Sequence, residues 1–237
     1  MIPKGMQDQF FIQPDNKNLF EVFKFGNDID WSQVSVLDYG CNQGNYVKHS
    51  KHIVSPDRYL GVDINQASIV KAKTNYPDYE FLHYNQWHPS FNPRGINSIM
   101  LSNVLDRKFD VVVAYSVFTH STIDQTRRQL ADLKKLLNPG GCILATFWHV
   151  EKFPNFLKFI QHDHSLANFD IDPNTCTRVS YWVDYNNVIQ DQDALETKQY
   201  FSVCTFYQPK IITTHFRGSK LIGALPIAGV QWLYEIK

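Results

Sequence analysis

A chain of 237 residues with 43% hydrophobic and 19% charged side chains is long enough to bury a substantial core and too apolar to be a disordered segment. Lys plus Arg and Asp plus Glu number 23 each, so bulk charge offers no grip on nucleic acid or an anionic membrane. The cysteines Cys41, Cys142, Cys176 and Cys204 stand far apart without a C-x-x-C pair, which speaks against a zinc ribbon and a disulfide-dense secreted fold. Met1-Ile-Pro-Lys lacks the basic-then-apolar pattern of a signal peptide, and no long apolar run marks a membrane span, so the expected address is cytoplasmic.

In chain order, Pro14-Asp15 opens a predicted helix whose Leu19, Phe20, Val22 and Phe23 form one apolar face and which Gly26 stops. A first strand follows at about 34–38. It runs into Asp38-Tyr39-Gly40-Cys41-Asn42-Gln43-Gly44, where glycine at 40 and 44 permits backbone angles and approaches that a side chain forbids. A strand ending in a glycine loop before a helix is where open α/β sheets place a nucleotide-like ligand. The acid at its mouth asks for a cationic or hydroxyl-rich ligand rather than a pyrophosphate. A helix is predicted from about Gly44 to His52, then a second strand, Tyr59–Asp63. Asp63 falls 25 residues after Asp38, the span of one β-α-β unit. A carboxylate there accepts hydrogen bonds from both hydroxyls of a ribose, or caps the next helix.

Gln66–Tyr76 reads as a helix, Tyr79–His83 as a third strand, 88–98 as loop and Ile96–Asp106 as a short helix. Lys108–Ser116 is a continuous apolar run, as expected of a strand buried on both faces. Thr122–Leu137 is an amphipathic helix with Ile123, Leu130, Leu133, Leu136 and Leu137 inward, ended by Asn138-Pro-Gly-Gly141 before a fifth strand at Cys142–Phe147. Beyond Val150, Lys152–Ala167 is a candidate helix, Cys176–Ile189 a half-exposed strand with 199–206 as its partner, and Pro209–Phe216 a helix. Strands at Ser219–Ala224 and 229–236 complete the chain. The aromatic residues crowded into this last third fit either core packing or a wall against a substrate.

Four segments together carry a resemblance. Asp38-Tyr-Gly-Cys-Asn-Gln-Gly44 resembles the first motif of class I S-adenosylmethionine (SAM)-dependent methyltransferases, D/E-x-G-x-x-x-G, with Asn42 where another glycine is usual. Phe109-Asp-Val-Val, the following Ser116-Val-Phe-Thr-His120, and Leu137-Asn-Pro-Gly-Gly141 resemble later segments of that family in the family's order. The resemblance implies a Rossmann-like three-layer α/β/α sandwich with a mostly parallel seven-stranded sheet ending in an antiparallel hairpin. It implies a single methyltransferase domain over 1–237, with 1–30 as a cap and about 168–206 as an insertion forming a substrate lid. The cofactor is then SAM, held by Asp38, Gly40, Cys41, Asn42, Gly44, Asp63, Ile64, Asn85 and Tyr115. The family commonly has an aspartate where Asn85 stands. Trp87 and His88 either wall the adenine or pack the loop.

A sulfonium methyl is already an activated electrophile, so the protein must chiefly align the acceptor and, for a hydroxyl, take its proton. His120 and His149, each at the carboxyl end of a predicted strand, are the candidate bases. No metal is expected, since His162 and His164 would diverge on a helix and lack further ligands. The expected partner is a small-molecule methyl acceptor, with oxygen preferred and a sugar, sugar nucleotide or natural product as its class. Nucleic acid and membrane are not expected. Two other readings stay open: a SAM-binding subunit that regulates without catalysis, and an NAD-dependent oxidoreductase, which the loop disfavours because it lacks G-x-G-x-x-G.

Overall fold

The computed structural model describes residues 18–88, 91–149, 167–172, 176–182, 201–207, 209–224 and 231–237. The predicted helix at Lys152–Ala167, all but its last residue, and the histidines at 162 and 164 lie outside the described residues, as do residues 1–17. Among the described residues, ten strands join in one sheet. Its centre is the parallel set β1 (Val36–Tyr39), β2 (Tyr59–Asp63), β3 (Glu80–His83), β4 (Phe109–Ala114) and β5 (Leu137–His149), in spatial order 3-2-1-4-5. The late strands β9 (Ser219–Ala224) and β10 (Gln231–Ile236) form the antiparallel pair, and β10 runs antiparallel to β5. These seven strands are the expected mostly parallel sheet.

Alternation along the strands sorts the core into two layers. Leu37, Val112, Ala114, Ile143, Ala145, Phe147 and Tyr234 point to one face and pack with α4 (Ile123–Lys135) and α5 (Pro209–His215) through Leu130, Leu133, Ile211 and Ile212. Val36, Val111, Val113 and Leu144 point to the other and meet α1 (Leu19–Lys24), α2 (Val47–Ser50) and α3 (Gln66–Asn75). Consecutive valines at 111–113 are therefore all buried, which is why this strand reads as an unbroken apolar run. Helix α1 is capped by the Asn18 side chain, and its Phe20 and Phe23 rings pack 5.6 Å from Trp31 and 6.0 Å from Tyr46. Helix α4 begins with a full capping box between Thr122 and Gln125.

Three expectations are corrected. The helix after the glycine loop is a single turn, Val47–Ser50, rather than 44–52. The stretch 96–106 holds only a 3-10 turn at Leu101–Asn103, fixed by the Asp132 carboxylate, which accepts from the Leu101 amide at 2.6 Å. The fifth strand reaches back to Leu137. Its Asn-Pro-Gly-Gly segment is an irregularity in the β4–β5 ladder, with Phe109 opposite Leu137 and Val111 opposite Cys142.

Beyond the seven-stranded core, β6 (Ala167–Asp172), β7 (Cys176–Trp182) and β8 (Phe201–Tyr207) form an antiparallel run. The strand β6 was not anticipated. β8 lies parallel to the last two residues of β5, Trp148 and His149. Since β10 covers the opposite edge of β5 there, β8 occupies the edge that β4 vacates after Ala114. Three elements thus converge at the carboxyl edge of the sheet: the end of β5, the 3-10 turn Phe118–His120 and this extension.

Candidate active site

The site begins at the end of β1. The register pairs Asp38 with Gly61 and Val36 with Tyr59, so Tyr59 and Asp38 share one face. Gly61 leaves the space through which the Tyr59 side chain crosses; a Cβ there would lie 2.8 Å from Tyr59 Oη and 2.6 Å from Phe81 Cδ1. The hydroxyl donates to Asp38 Oδ2 at 2.7 Å. Burial pushes the Asp38 carboxyl up from 3.8 to about 7, opposed by the Tyr59 hydrogen bond and reinforced by the charge of Asp63. The acid of the motif is thus a buried group beneath the loop, held at the edge of ionisation.

The loop folds onto β2 by spending its own amides. Gly40 and Cys41 both donate to the Val62 carbonyl, at 2.8 and 3.0 Å, and Gly44 and Asn45 donate to the Cys41 carbonyl. The Asn42 amide donates to Asp63 Oδ2 at 2.8 Å. Gly40 and Gly44 lie at φ of 85° and 84°, where a side chain is strained. A Cβ at Gly40 would also sit 2.5 Å from Val117 Cγ2. Asn42, in place of a third glycine, takes φ of 50°, a region asparagine tolerates, and its Oδ1 accepts from Ser68 Oγ at 3.1 Å. A pyrophosphate cradle needs outward-facing amides; here those of residues 40, 41, 42, 44 and 45 turn inward.

Asp63 is half-buried at the tip of β2. Its Oδ1 accepts from the Asn65 amide at 2.7 Å, and desolvation raises its pKa against those backbone bonds. It is not the cap of α3, since Asn65 caps Ser68. Each carboxylate oxygen keeps a lone pair beyond its amide bond, which suits a diol. This donor and acceptor set fits SAM: two acids, Asp38 and Asp63, for a cationic ligand with a diol, and amides at 40, 41, 42, 44 and 45 that turn away from any phosphate.

The remaining predicted residues have the following surroundings. Ile64 packs partly buried beside the core, and its carbonyl bonds His83 Nε2 at 3.1 Å. Tyr115, directly after β4, is half-buried, and burial pushes its phenol up to about 12. The Cys41 thiol is buried, and its pKa is raised by that burial and by Asp38. Asn85 Oδ1 already accepts from Asn92 Nδ2 at 3.0 Å. His88 faces the 118–120 turn, where its Nε2 lies 3.0 Å from the His120 carbonyl. His120 is half-buried at the sheet edge, in edge contact with Phe91 and Trp148. His149 is only 2% exposed, stacked on Trp232 and sharing a 2.8 Å hydrogen bond with Tyr234 Oη.

Several contributors were not foreseen: Tyr59, Ser68, Phe91 and Ser116. Ser116 sits at φ of 57° just after β4, with its amide on Thr146 Oγ1 at 2.8 Å. The β1–β2 register would have placed Tyr59 beside Asp38; the others depend on contacts across the fold.

The fold, with its strand order of 3-2-1-4-5 closed by an antiparallel pair and an acid-bearing glycine loop at the end of β1, is similar to that of solved SAM-dependent methyltransferases. Residues 37–143 match the family model described as a methyltransferase domain. The chain is 24% identical over 177 residues to the mRNA cap guanine-N(7) methyltransferase of Schizosaccharomyces pombe, an alignment covering 67% of this chain and 46% of that protein. It is 24% identical over 131 residues to a phthiotriol/phenolphthiotriol dimycocerosates methyltransferase of Mycobacterium tuberculosis, covering 54% and 43%. The chain therefore spans less than half the length of these curated relatives. Among solved structures, a SAM-dependent methyltransferase from Clostridium acetobutylicum shares the fold with a TM-score of 0.55 at 12% identity, covering 98% of this chain and 96% of that one. The glycopeptide N-methyltransferase MtfA complexed with SAM gives 0.54 at 13% identity, covering 96% and 89%.

Proposed function

We propose that this chain transfers a methyl group from SAM to a hydroxyl of a small molecule, a sugar, sugar nucleotide or natural product, in the cytoplasm. The observation that carries the cofactor assignment is the loop itself, whose amides are spent inward while two carboxylates, Asp38 and Asp63, flank it. Among the described residues, no helix is long and apolar enough to cross a membrane.

When bound, SAM supplies a methyl group already activated by its sulfonium sulfur. Asp63 would receive the ribose hydroxyls, and Asn85 and Ile64 would flank the adenine. The main chain at Gly40 and Gly44 allows close approach. Asp38 supplies negative charge below the loop, and Tyr115 and Cys41 shape its walls. For proton removal the geometry favours His120, half-buried at the carboxyl edge. His149 is sealed between Trp232 and Tyr234 and serves as a positioning residue. His120 would take the proton of the acceptor hydroxyl, while SAM, when bound, would supply the methyl group and depart as a neutral thioether. The β6–β8 extension, joined at the end of β5, closes the acceptor side, and α1 covers the opposite face of the sheet.

Calorimetric titration of the purified protein with SAM, S-adenosylhomocysteine and NAD tests the reading. Binding of the first two is expected. Binding of NAD alone would overturn it in favour of an oxidoreductase. SAM binding without turnover across a panel of hydroxylated acceptors would favour a regulatory subunit.

A further inference from the structure

We propose that Phe91 and His120, backed by the buried Trp148, form an aromatic subsite that takes a planar unsaturated ring of the acceptor. The proposal rests on the methyltransferase reading and specifies its substrate class. The three rings come from three elements at the carboxyl edge: the loop after β3, the turn after β4 and the end of β5. They form one continuous run, with Phe91 5.2 Å from His120 and His120 5.9 Å from Trp148, both edge to face. The turn carrying His120 adjoins the glycine loop, since Val117 fills the space that a Cβ on Gly40 would need. A ring held on this run lies next to the cofactor loop and beside the imidazole assigned to proton removal.

Phe91 is 43% exposed and Ile96 54%, yet the described residues around them are tied by hydrogen bonds. His88 and Asn92 exchange backbone hydrogen bonds at 3.0 Å, Trp87 donates to the Ile96 carbonyl, and Ile96 donates to that of Asn85. His88 ties the loop to the turn: its Nε2–H donates to the His120 carbonyl and its Nδ1 accepts from the Phe91 amide at 3.2 Å. The His88 ring also stacks on Phe91 at 4.8 Å. Hydrogen-bonded residues that present aromatic and aliphatic surface at the ligand-binding edge of an α/β sheet are suited to an apolar partner. Ring faces and edges select a planar ligand over a saturated one of equal size.

The test uses 2-naphthol and its saturated counterpart decahydro-2-naphthol, titrated by NMR into protein holding S-adenosylhomocysteine. Wild type is expected to bind 2-naphthol more tightly. Phe91→Ala should weaken it on the order of fivefold, and Phe91→Tyr should retain it. The affinity for S-adenosylhomocysteine, measured on the same preparations, should stay constant across the variants. Equal binding of the two alcohols, or a Phe91→Ala protein that binds 2-naphthol as wild type does, overturns the subsite while leaving the methyltransferase reading intact. A wild-type protein that does not bind S-adenosylhomocysteine overturns both.

Discussion

Replacing Asp38 by Asn separates the cost of the buried acid from its use. The amide keeps an acceptor for the Tyr59 hydroxyl, now at 2.7 Å from Oδ2, but carries no charge. In the folded chain the carboxyl titrates at about 7 instead of the ordinary 3.8, chiefly through desolvation. Between those values the folded state binds more protons than the unfolded one, so stability falls as pH rises through this window. Below it both states are protonated and the penalty is absent; above it the penalty is complete, on the order of 4 kcal/mol. The Asn variant has no such dependence at this position. Urea denaturation of both proteins without ligand should therefore show Asp38→Asn gaining on wild type by a few kcal/mol from about pH 4 to about pH 8. SAM affinity should move the other way, because the cationic ligand loses a counter-charge. A stability difference that stays flat across this pH range would refute the buried-carboxylate argument.

Three further outcomes follow from the same geometry. Asp63→Ala should weaken SAM binding by roughly 1.5–3 kcal/mol, the worth of hydrogen bonds to a charged group, as read by calorimetry. Gly61→Ala places a methyl group 2.6 Å from Phe81 and 2.8 Å from the Tyr59 hydroxyl, and overpacking of this kind should cost about 1–3 kcal/mol in thermal or urea unfolding. His88 is bonded as the neutral tautomer, and burial lowers its pKa from 6.5. Its contribution is complete above about 6.5 and lost as pH falls through the depressed value, so the Phe91 amide should lose hydrogen-exchange protection on acidification while a core amide such as Val112 does not.

What the sequence disclosed was local. The β4 valines, the helix that starts at Thr122 and the glycine loop announce themselves within a few residues, because burial on both faces, an apolar helical spacing and positive φ each leave a short signature. What it hid was set across the fold. The 96–106 segment has helical spacing, but its order comes from Asp132, about thirty residues on. Tyr59 looks like one more strand aromatic until the register lays it over Gly61 onto Asp38. The alternation Ala167-Asn-Phe-Asp-Ile-Asp172 does carry a strand period, but aspartate and asparagine are poor strand formers and masked it. The two candidate bases were equivalent in sequence, each ending a strand, and only packing separates the sealed His149 from the half-buried His120.

The way β5 is shared has a consequence for how such a chain diversifies. The extension reaches the sheet through two residue pairs, Trp148 with Phe206 and His149 with Tyr207, supported by the Thr205 hydroxyl on the Ser121 carbonyl and the Tyr207 hydroxyl on the Phe118 carbonyl. The glycine loop lies two strands away and takes its shape from β2 and α3. Insertions, deletions or exchanges within the extension can therefore reshape the open edge while the glycine loop keeps its register. The seam at the end of β5 thus separates a part whose shape is set by β2 and α3 from a part joined to the sheet through two residue pairs.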